Sequence, residues 1–367
     1  MFERRLYSHV DRKLLSAVVA LSLMGLVMIF STTYDAATEQ VGGQFYRQLG
    51  ALLIGLVALA VVLAIDYRTI VNRSLPIYVG LIACLLYTLW FGVEQGGAQR
   101  WIGLGPVNLQ PSEFARLAIA LLLAFIFAKD HRGSRRRISD WLIGVAVVGV
   151  PALLIARQPD LGTAVTLVPV CIVIVLFAGL KLRVMAVVAV MAILAAPVVW
   201  AYGMEDYQKT RIASFFDPEQ DPRGAGYQQI QARITVGSGG LTGKGFLQGT
   251  QSQYDFLPVA HNDFIFSVLA EEQGFIGVLF ALGLYLFVVL RSLEAARLSK
   301  DRIGRYLVVG VVAGFTFQVI YNVTMSVGLA PVKGLPLPLM SYGGSSVIAT
   351  LLGFGLILNV RMRRFTN

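Results

Sequence analysis

Long apolar runs separated by short polar connections dominate the amino-acid sequence. Ten of these runs approach the roughly 20 residues that an α-helix needs to cross about 30 Å of hydrocarbon: Leu14–Ser31, Leu49–Ile65, Ser74–Phe91, Phe114–Ala128, Trp141–Ala156, Leu161–Leu180, Val184–Tyr202, Phe264–Leu290, Tyr306–Met325 and Ser341–Val360. The pattern predicts an all-α, polytopic integral membrane protein with about ten transmembrane helices, give or take one. The first run is longer than a signal-peptide core and lacks a clear cleavage site, so we expect it to be retained as a span.

One connection is much longer than the others. Residues 203–262 lie between the seventh and eighth runs. Two prolines and the glycine-rich stretch 237–240 predict irregular backbone there, and the connection is too short to predict an independent core. A loop of this length in a compact bundle is usually functional. We therefore predict a single transmembrane domain over residues 1–367, with 203–262 as a long loop outside the membrane.

Composition and charge support this interpretation and orient the chain. Charged residues make up 14% of the sequence, against about 25% in soluble domains, which excludes a soluble enzyme and a disordered chain. The net charge is +10, and about two thirds of the Lys and Arg residues fall at the termini and in the even-numbered connections. The positive-inside rule therefore predicts cytoplasmic termini and an extracytoplasmic long loop. We interpret the basic cluster 132–137 as a topology signal that contacts membrane lipids, with no nucleic-acid partner.

Ionisable residues interrupt the apolar pattern at three places near the extracytoplasmic face. In the first, only 12 uncharged residues separate Arg116 from Lys129, which is too few to cross the hydrocarbon. Glu113 and Arg116, which share one helical face, are therefore expected at membrane depth. In the second, Asp160 lies at the membrane boundary. These residues could instead have purely structural roles. Glu113 and Arg116 would then form an ion pair that only stabilises helix packing, and Asp160 would only cap a helix.

The third place is the segment His261–Asp263, followed two turns later by Glu271 and Glu272. The eighth run is longer than the membrane is thick, which favours a polar interior around the two glutamates. The alternative role for Asp263 is a simple helix cap, and His261 is expected to be a hydrogen-bonding neighbour rather than a metal ligand. Together the three places suit an amphiphilic substrate whose charged head lies in an outer cavity, where arginines stabilise phosphate and a carboxylate acts as general base.

Five separated motifs at these places make the sequence similar to the SEDS family (shape, elongation, division and sporulation). They cover essentially the whole chain and follow the order of the family: Gly97–Trp101, Gln110–Glu113, Arg157–Thr163, His261–Phe266 and Pro338–Ser346. Within the family, the segment Gly249–Gln253 and the short terminal tails resemble the elongation (RodA-like) branch rather than the division (FtsW-like) branch.

The resemblance implies a function and a location. It implies a peptidoglycan glycosyltransferase of the cytoplasmic (inner) membrane that polymerises lipid II into β-1,4 glycan strands on the outer face during cell elongation and releases undecaprenyl pyrophosphate. It implies a class B penicillin-binding protein as the transpeptidase partner, together with other membrane proteins of the elongation complex. A divalent cation, Mg²⁺ or Mn²⁺, is expected, and no organic cofactor is.

The resemblance also assigns roles to residues. Asp263 matches the essential aspartate of the family, so it is the expected catalytic residue, either as general base or as ligand of the divalent cation. Glu113 and Asp160 match residues that line the central cavity. Arg116 stands where the family usually has Lys, and its pairing with Asp160 is carried over as a hypothesis. The other candidates for the cavity, substrate or pyrophosphate are Arg100, Trp101, His261, Arg233, Lys244 and Ser341, of which Arg233 and Lys244 rest on loop position alone.

Three other functions are also compatible with these membrane spans and with the ionisable residues near the extracytoplasmic face. A transporter that flips lipid-linked precursors would use the same cavity and lipid groove without a general base. A division-type member of the family would share the chemistry. A scaffold that only holds a cell-wall transpeptidase would tolerate the change Asp263→Asn.

Overall fold

A computed structural model describes residues 9–35, 38–95, 98–105, 107–129, 138–179, 199–222, 224–254 and 256–365, with isolated positions between 180 and 198. Its α-helices are α1 (Arg12–Thr33), α2 (Gly43–Ala64), α3 (Tyr67–Asn72), α4 (Ser74–Phe91), α5 (Ser112–Lys129), α6 (Ile138–Ala156), α7 (Leu161–Phe177), α8 (Asp206–Phe216), α9 (Ala225–Ser238), α10 (Thr250–Gln253), α11 (Ile265–Leu298), α12 (Arg302–Ser326) and α13 (Gly344–Met362). Short π and 3₁₀ segments lie at Val199–Gly203, Pro218–Gln220 and Arg363–Phe365.

Two small antiparallel sheets accompany the helices. β1 (Tyr34–Asp35) pairs with β2 (Gln40–Val41), and β4 (Ala98–Leu104) lies between β3 (Val93–Gln95) and β5 (Val107–Leu109). The register pairs Val93 with Trp101 and Ile102 with Leu109. These strands were not predicted, because short hairpins between two apolar helices leave no long alternating pattern in the sequence.

The membrane-spanning, mainly α-helical architecture is confirmed. By length and composition, six helices of the described part can cross a membrane: α1, α2, α4, α11, α12 and α13. Three further predicted runs coincide with α5, α6 and α7. Of the predicted run Val184–Tyr202, the structure describes isolated positions and the π segment from Val199, and no continuous helix over its length. The basic cluster 132–137 lies outside the described residues.

Helix α13 forms the centre of the bundle. It packs closely along α2 and also contacts α5, α11 and α12. Small residues permit the approach to α2, since a Cβ on Gly355 would lie 3.2 Å from the Cα of Leu59, and a Cβ on Gly55 would lie 2.5 Å from Leu351 Cδ1. Close packing of this kind replaces the hydrophobic effect as the force that joins helices in lipid. The opposite face of α2 is exposed, as expected for a surface that contacts acyl chains.

A charged network closes the end of the bundle at which α1 begins and α13 ends. Asp11 caps α1 by accepting the Leu14 amide, and it pairs with Arg291 (2.7 Å) and Arg361 (2.9 Å). Arg361 also pairs with Glu294 (3.2 Å). The contact between Asp11 and Arg361 brings the beginning of α1 and the end of α13 to the same end of the bundle. The turns that precede α5, α7 and α11 therefore lie at the opposite end.

The long connection contains more regular structure than predicted. α8, α9 and α10 lie within it, and Gly237 and Ser238, which were expected in irregular backbone, belong to α9. The reason is tertiary packing, because α9 buries Ala232 in a small apolar cluster with Phe264 and Met325. Such burial overrides the low helix propensity of glycine.

Helix α11 is interrupted at Gly274, whose φ of 65° is not helical. Residues 239–245, here called the glycine loop, fit against this interruption. Four backbone hydrogen bonds join them: Lys244 N to Glu271 O (2.9 Å), Gly245 N to Glu272 O (3.0 Å), Phe275 N to Gly240 O (3.0 Å) and Ile276 N to Leu241 O (3.1 Å). A Cβ on Gly274 would lie 2.2 Å from Gly243 N. Only glycine therefore fits at this crossing.

Candidate functional site

A cavity of about 710 Å³ opens at the end of the bundle opposite the termini. Its walls come from β4, the starts of α5 and α7, helix α8, the turn before α11 and the chain between α12 and α13. The charged residues that line it are Arg100, Glu113, Asp160, Glu205, Arg211, Asp263 and Lys333. The cavity therefore mixes carboxylates with cations, which suits a ligand that carries both hydroxyl and phosphate groups.

Asp263 lies in the turn immediately before α11 and faces the cavity. Its amide donates to the carbonyl of Val259 (3.3 Å), and its own carbonyl accepts from the side chain of Asn322 (2.8 Å). Burial raises the pKa of Asp263 to about 6, while the positive charges of Arg211 and Arg100 oppose this rise and the negative charge of Asp160 adds to it. A carboxyl with a pKa near neutrality can accept and release a proton at physiological pH.

The turn that carries Asp263 is conformationally strained. Val259 has a φ of 54°, which is a rare conformation for a β-branched residue. Its carbonyl accepts hydrogen bonds from the amides of both Asn262 (3.1 Å) and Asp263 (3.3 Å). Strain of this kind persists where the surrounding structure holds it in place, and it concentrates at functional sites.

Asp160 caps a helix and also lines the cavity. It caps α7 by accepting the Thr163 amide (3.1 Å), and it accepts a hydrogen bond from the Gln110 side chain (3.1 Å). Its ionic neighbour is Arg100, at 3.6 Å from carboxylate oxygen to guanidinium nitrogen. The hypothesis that Arg116 pairs with Asp160 is therefore wrong. Arg116 turns instead to Glu113 (2.8 Å) and to the side-chain oxygen of Gln318.

Glu113 joins the cavity to the bundle interior. It lines the cavity, and its partner Arg116 lies beside it in a narrow crevice between α5, α12 and α13. The i,i+3 pair is nearly buried, so it satisfies two charges that would be costly in hydrocarbon. Glu113 therefore lines the cavity and also pairs with a charge inside the bundle, whereas Arg116 is not part of the cavity lining.

Arg100 and Trp101 enter the cavity from β4. Among the described residues, neither Nε of Arg100 nor Nε1 of Trp101 has a hydrogen-bond partner, although both atoms are buried. Buried donors of this kind are usually satisfied. These two donors are therefore unsatisfied in side chains that line the cavity.

Three other candidates do not line the cavity. Lys244 forms an ion pair with buried Glu271 (2.7 Å), and exposed Arg233 lies against the backbone of Gly328. The hydroxyl of Ser341 accepts the Leu337 amide (2.8 Å) and closes a turn. These placements differ from the expectation of direct substrate contact, because Lys244 and Ser341 are held by partners away from the cavity and Arg233 lies outside its lining.

His261 supports the cavity from outside. Its ring packs edge-on against Tyr342, with centroids 5.7 Å apart, and its carbonyl accepts the Tyr342 amide (2.9 Å). Burial lowers the pKa of His261, so the neutral imidazole is favoured. The side chain of His261 thus makes an aromatic contact while its backbone accepts the hydrogen bond, and Tyr342 itself lines the cavity.

Two cations of the cavity were not identified from the sequence. Arg211 lies on α8, and Lys333 lies in the chain between α12 and α13. The signal for α8 is the capping box formed by Glu205 and Gln208, which marks a helix start inside the long connection. The signal for Lys333 is a lone basic residue between Pro331 and Gly334 in an otherwise apolar stretch.

Metal ligation by protein groups alone is not supported in the described part of the chain. No group of three or more His, Cys, Asp or Glu side chains there could hold a metal ion. Mg²⁺ does not require such a cage, since it commonly binds one or two carboxylates together with substrate phosphates and water. The donor set around Asp263 therefore fits a cation that a phosphorylated substrate helps to hold.

Comparison with known proteins identifies the family. The family model for FtsW, RodA and SpoVE, described as cell cycle proteins, matches residues 12–365. The chain belongs to this family. The peptidoglycan glycosyltransferase MrdB of Escherichia coli strain K12 is 38% identical over 97% of this chain and 94% of its own length. A probable peptidoglycan glycosyltransferase FtsW of Trichlorobacter lovleyi is 37% identical over 95% of this chain and 92% of its own length.

Solved structures of the FtsW/RodA/SpoVE family share the fold. A chain from a peptidoglycan synthase complex that coordinates polymerization and crosslinking has a TM-score of 0.84 and 32% identity, covering 98% of this chain and 99% of that one. The rod shape determining protein RodA of Thermus thermophilus has a TM-score of 0.72 and 30% identity, covering 98% of both chains. The expected membership of a family of polytopic membrane proteins is confirmed.

Proposed function

We propose that this chain is a peptidoglycan glycosyltransferase that polymerises lipid II. The observation that carries the proposal is the cavity in which Asp263, with a pKa near neutrality, faces Arg100, Arg211 and Lys333. A general base and several cations in one space are what transfer of a sugar from a pyrophosphate requires. Relatives named peptidoglycan glycosyltransferase, similar over almost their whole length, support the same reaction.

In the proposed reaction, Asp263 accepts a proton from the acceptor sugar hydroxyl. The hydroxyl oxygen attacks the anomeric carbon of the donor, a new glycosidic bond forms, and the bond from that carbon to the pyrophosphate oxygen breaks. The displacement is direct, so the configuration at the anomeric carbon is inverted and an α-linked donor gives a β-linked product. The electron pair of the broken bond leaves on undecaprenyl pyrophosphate.

The departing pyrophosphate gains negative charge, which the cavity cations stabilise. Arg100 and Arg211 already act electrostatically on Asp263, and Lys333 lies on the same cavity wall as Gly334. A guanidinium can bind phosphate oxygens through two parallel hydrogen bonds, whereas an ammonium acts as a point charge. These three side chains replace Arg233 and Lys244 as the proposed pyrophosphate ligands.

A divalent cation, Mg²⁺ or Mn²⁺, is also proposed. In the alternative to its role as general base, Asp263 would supply a carboxylate ligand within the cavity, and the pyrophosphate and water would supply the remaining oxygens. When bound, the ion neutralises charge that develops on the pyrophosphate. The protein's own residues orient the sugar hydroxyl and take its proton.

The proposed setting is the cytoplasmic membrane, with both termini in the cytoplasm and the cavity on the outer side. Its support is the distribution of basic residues together with the contact between Asp11 and Arg361, which joins the start of α1 to the end of α13. A class B penicillin-binding protein of the elongation complex is the proposed partner. Its support is the similarity to a chain from a synthase complex that coordinates polymerization and crosslinking.

The decisive experiment is polymerisation of purified lipid II in detergent, where no second leaflet exists. We expect glycan strands from the wild-type chain with its transpeptidase partner and Mg²⁺, and at least a 100-fold loss in Asp263→Asn, as for loss of an essential general base (about 10²–10⁴-fold). Asp206→Asn, which alters an exposed carboxylate on α8, is the matched control and should keep full activity. Wild-type polymer from Asp263→Asn would refute the assignment. No polymer from the wild-type chain would instead favour a carrier of lipid-linked precursors.

A further inference from the structure

A fully buried asparagine joins two walls of the cavity. Asn322 lies in α12 with no solvent exposure. Its side-chain NH₂ group donates one hydrogen bond to the backbone carbonyl of Asp263 (2.8 Å) and a second to the backbone carbonyl of Leu335 (2.7 Å). One amide therefore binds both the turn that carries the general base and the chain between α12 and α13.

The second of these segments faces the Asp263 carboxylate. Gly334, next to Leu335, has a φ of 66°, and a Cβ placed on it would lie 3.4 Å from Asp263 Oδ2. Lys333, which precedes it, lines the cavity. The distance between the general base and this proposed pyrophosphate ligand is therefore set by how residues 331–337 dock against the turn at Asp263.

Two neighbours of Asn322 on α12 hold the same segment. Gln318 donates to the carbonyl of Pro336 (2.9 Å), and the hydroxyl of Tyr321 donates to the carbonyl of Pro331 (2.9 Å). Of the described hydrogen bonds made by Gln318, Tyr321 and Asn322, only one from Asn322 is accepted by Asp263. Gln318 and Tyr321 fix the segment to the helix, whereas Asn322 fixes it relative to the catalytic turn.

We propose that Asn322 is a positioning residue for glycosyl transfer. It holds the Asp263 backbone in register with residues 333–335, so that the carboxylate and the cation of Lys333 act on one substrate at the same time. The inference rests on the proposed function. It adds a role for a residue that does not line the cavity and that touches neither the acceptor hydroxyl nor the pyrophosphate.

The chemistry of the side chain explains why an amide is required. Two carbonyl groups need two N–H donors from one short side chain, and asparagine supplies both. Leucine has a similar volume but leaves both buried carbonyls unsatisfied. A carboxylate at this position cannot donate at all. In the described structure Oδ1 of Asn322 has no hydrogen-bond partner, so the side chain is held here by its two donated bonds.

The test compares the variants Asn322→Leu and Asn322→Asp in steady-state polymerisation of lipid II by the full chain with its partner. Misplacement of a catalytic group by about 1 Å can cost about 100-fold in rate. We therefore expect kcat to fall by about 10- to 100-fold in both variants, with KM for lipid II changed by less than about twofold, because the cavity lining is intact. Ser326→Ala is the matched control, since Ser326 is equally buried one turn further along α12 and its hydroxyl donates to the Asn322 carbonyl (2.9 Å).

Each outcome decides a specific point. A lowered kcat with an unchanged KM and a thermal midpoint near that of the Ser326→Ala control supports the proposal. A wild-type kcat in either folded variant, or a loss confined to KM, overturns it. If both variants fail to fold, Asn322 is a folding residue and the proposal is again overturned. Failure of the proposed function itself is distinguished by the wild-type chain and Asp263→Asn in the same assay.

Discussion

Asp263 combines features that rarely occur together in a membrane protein. It lies in a strained turn at the cavity, its carbonyl is bound by a buried amide, and its carboxyl is both desolvated and close to cations. Desolvation alone would keep the carboxyl protonated, and the cations Arg211 and Arg100 limit that effect. The result is a base whose protonation changes close to physiological pH.

This balance predicts the pH dependence of polymerisation. Asp263 accepts a proton only when it is ionised, and its pKa is raised to about 6. Activity should therefore be constant at higher pH and fall about tenfold for each pH unit below about 6. The measurement is kcat/KM for lipid II across the pH range at constant ionic strength. A profile that falls only below the ordinary aspartate pKa of about 4 would contradict the raised value.

At the residue scale the sequence identified those groups whose position depends on local signals. Asp160 and Asp263 precede helices, and Glu113 is one turn from Arg116. The positions of these residues relative to the membrane could therefore be predicted from their spacing along the apolar runs. The placement of Lys244 depends on Glu271, which is 27 positions further along the chain. That contact depends on how the glycine loop docks, and no spacing rule encodes it. The pairing of Arg100 with Asp160 likewise depends on β4, which the apolar pattern did not predict.

At the scale of elements, the junction between the glycine loop and α11 is the most demanding packing in the long connection. Glu271 accepts hydrogen bonds from Lys244, from the amides of Gln251 and Ser252, and from three hydroxyl groups. The backbones approach so closely at Gly274 that any side chain would collide with Gly243. The junction ties the loop to the helix that follows Asp263.

We predict that Gly274→Ala is strongly destabilising. The alanine would need a left-handed conformation, at about 1–3 kcal/mol, and its Cβ would lie 2.2 Å from the backbone nitrogen of Gly243. We expect a loss of about 3 kcal/mol or more, measured as a lower thermal midpoint in detergent. The matched control is Gly283→Ala in the same helix, where a Cβ would meet nothing within 4 Å. Equal stability of the two variants would show that the junction does not form.

The sequence predicted elements well where one physical requirement dominates. A span must be apolar over its length, and nine of the ten predicted runs coincide with α-helices in the described part of the chain. Only part of the tenth run, Val184–Tyr202, is described. Inside the long connection no such requirement applies. α9 forms because its apolar face packs against Phe264 and Met325, and a single sequence does not reveal that contact.

At the scale of the whole molecule, the two ends of the bundle have different chemistry. The end with the termini is closed by ion pairs among Asp11, Arg291, Glu294 and Arg361. The opposite end is open and holds the cavity. The contact of Asp11 with Arg361 brings the start of α1 and the end of α13 to one end of the bundle. The cytoplasmic location of the termini remains a prediction from the charge pattern.

We predict that Asp11→Ala destabilises the fold without a direct effect on chemistry. Asp11 is almost buried and is a partner of Arg361, whose side chain is only 7% exposed. Removing one member of a buried pair costs about 3–5 kcal/mol when the other charge is left without a partner. Glu294 remains as a second partner of Arg361, so we expect about 2 kcal/mol. The measurement is the thermal midpoint in detergent, together with kcat at a temperature where the variant is folded.

Asp206→Asn, at an exposed ion pair with Lys209, is the matched control and should change the free energy of unfolding by less than about 1 kcal/mol. If Asp11→Ala lowered kcat while the midpoint stayed at the wild-type value, the closed end would have a role in the reaction that ion pairing does not explain.

The interruption of α11 has a consequence for biosynthesis. The glycine loop leaves the ribosome before the helix that receives it, because residues 239–245 precede Gly274 in the chain. The carbonyl groups of Glu271 and Glu272, which accept its amides, are therefore translated later. Docking can begin only after residues 271–276 have been made. The turn with Asp263 lies between the two docking segments, so the final geometry of the cavity forms only after the loop has docked on α11.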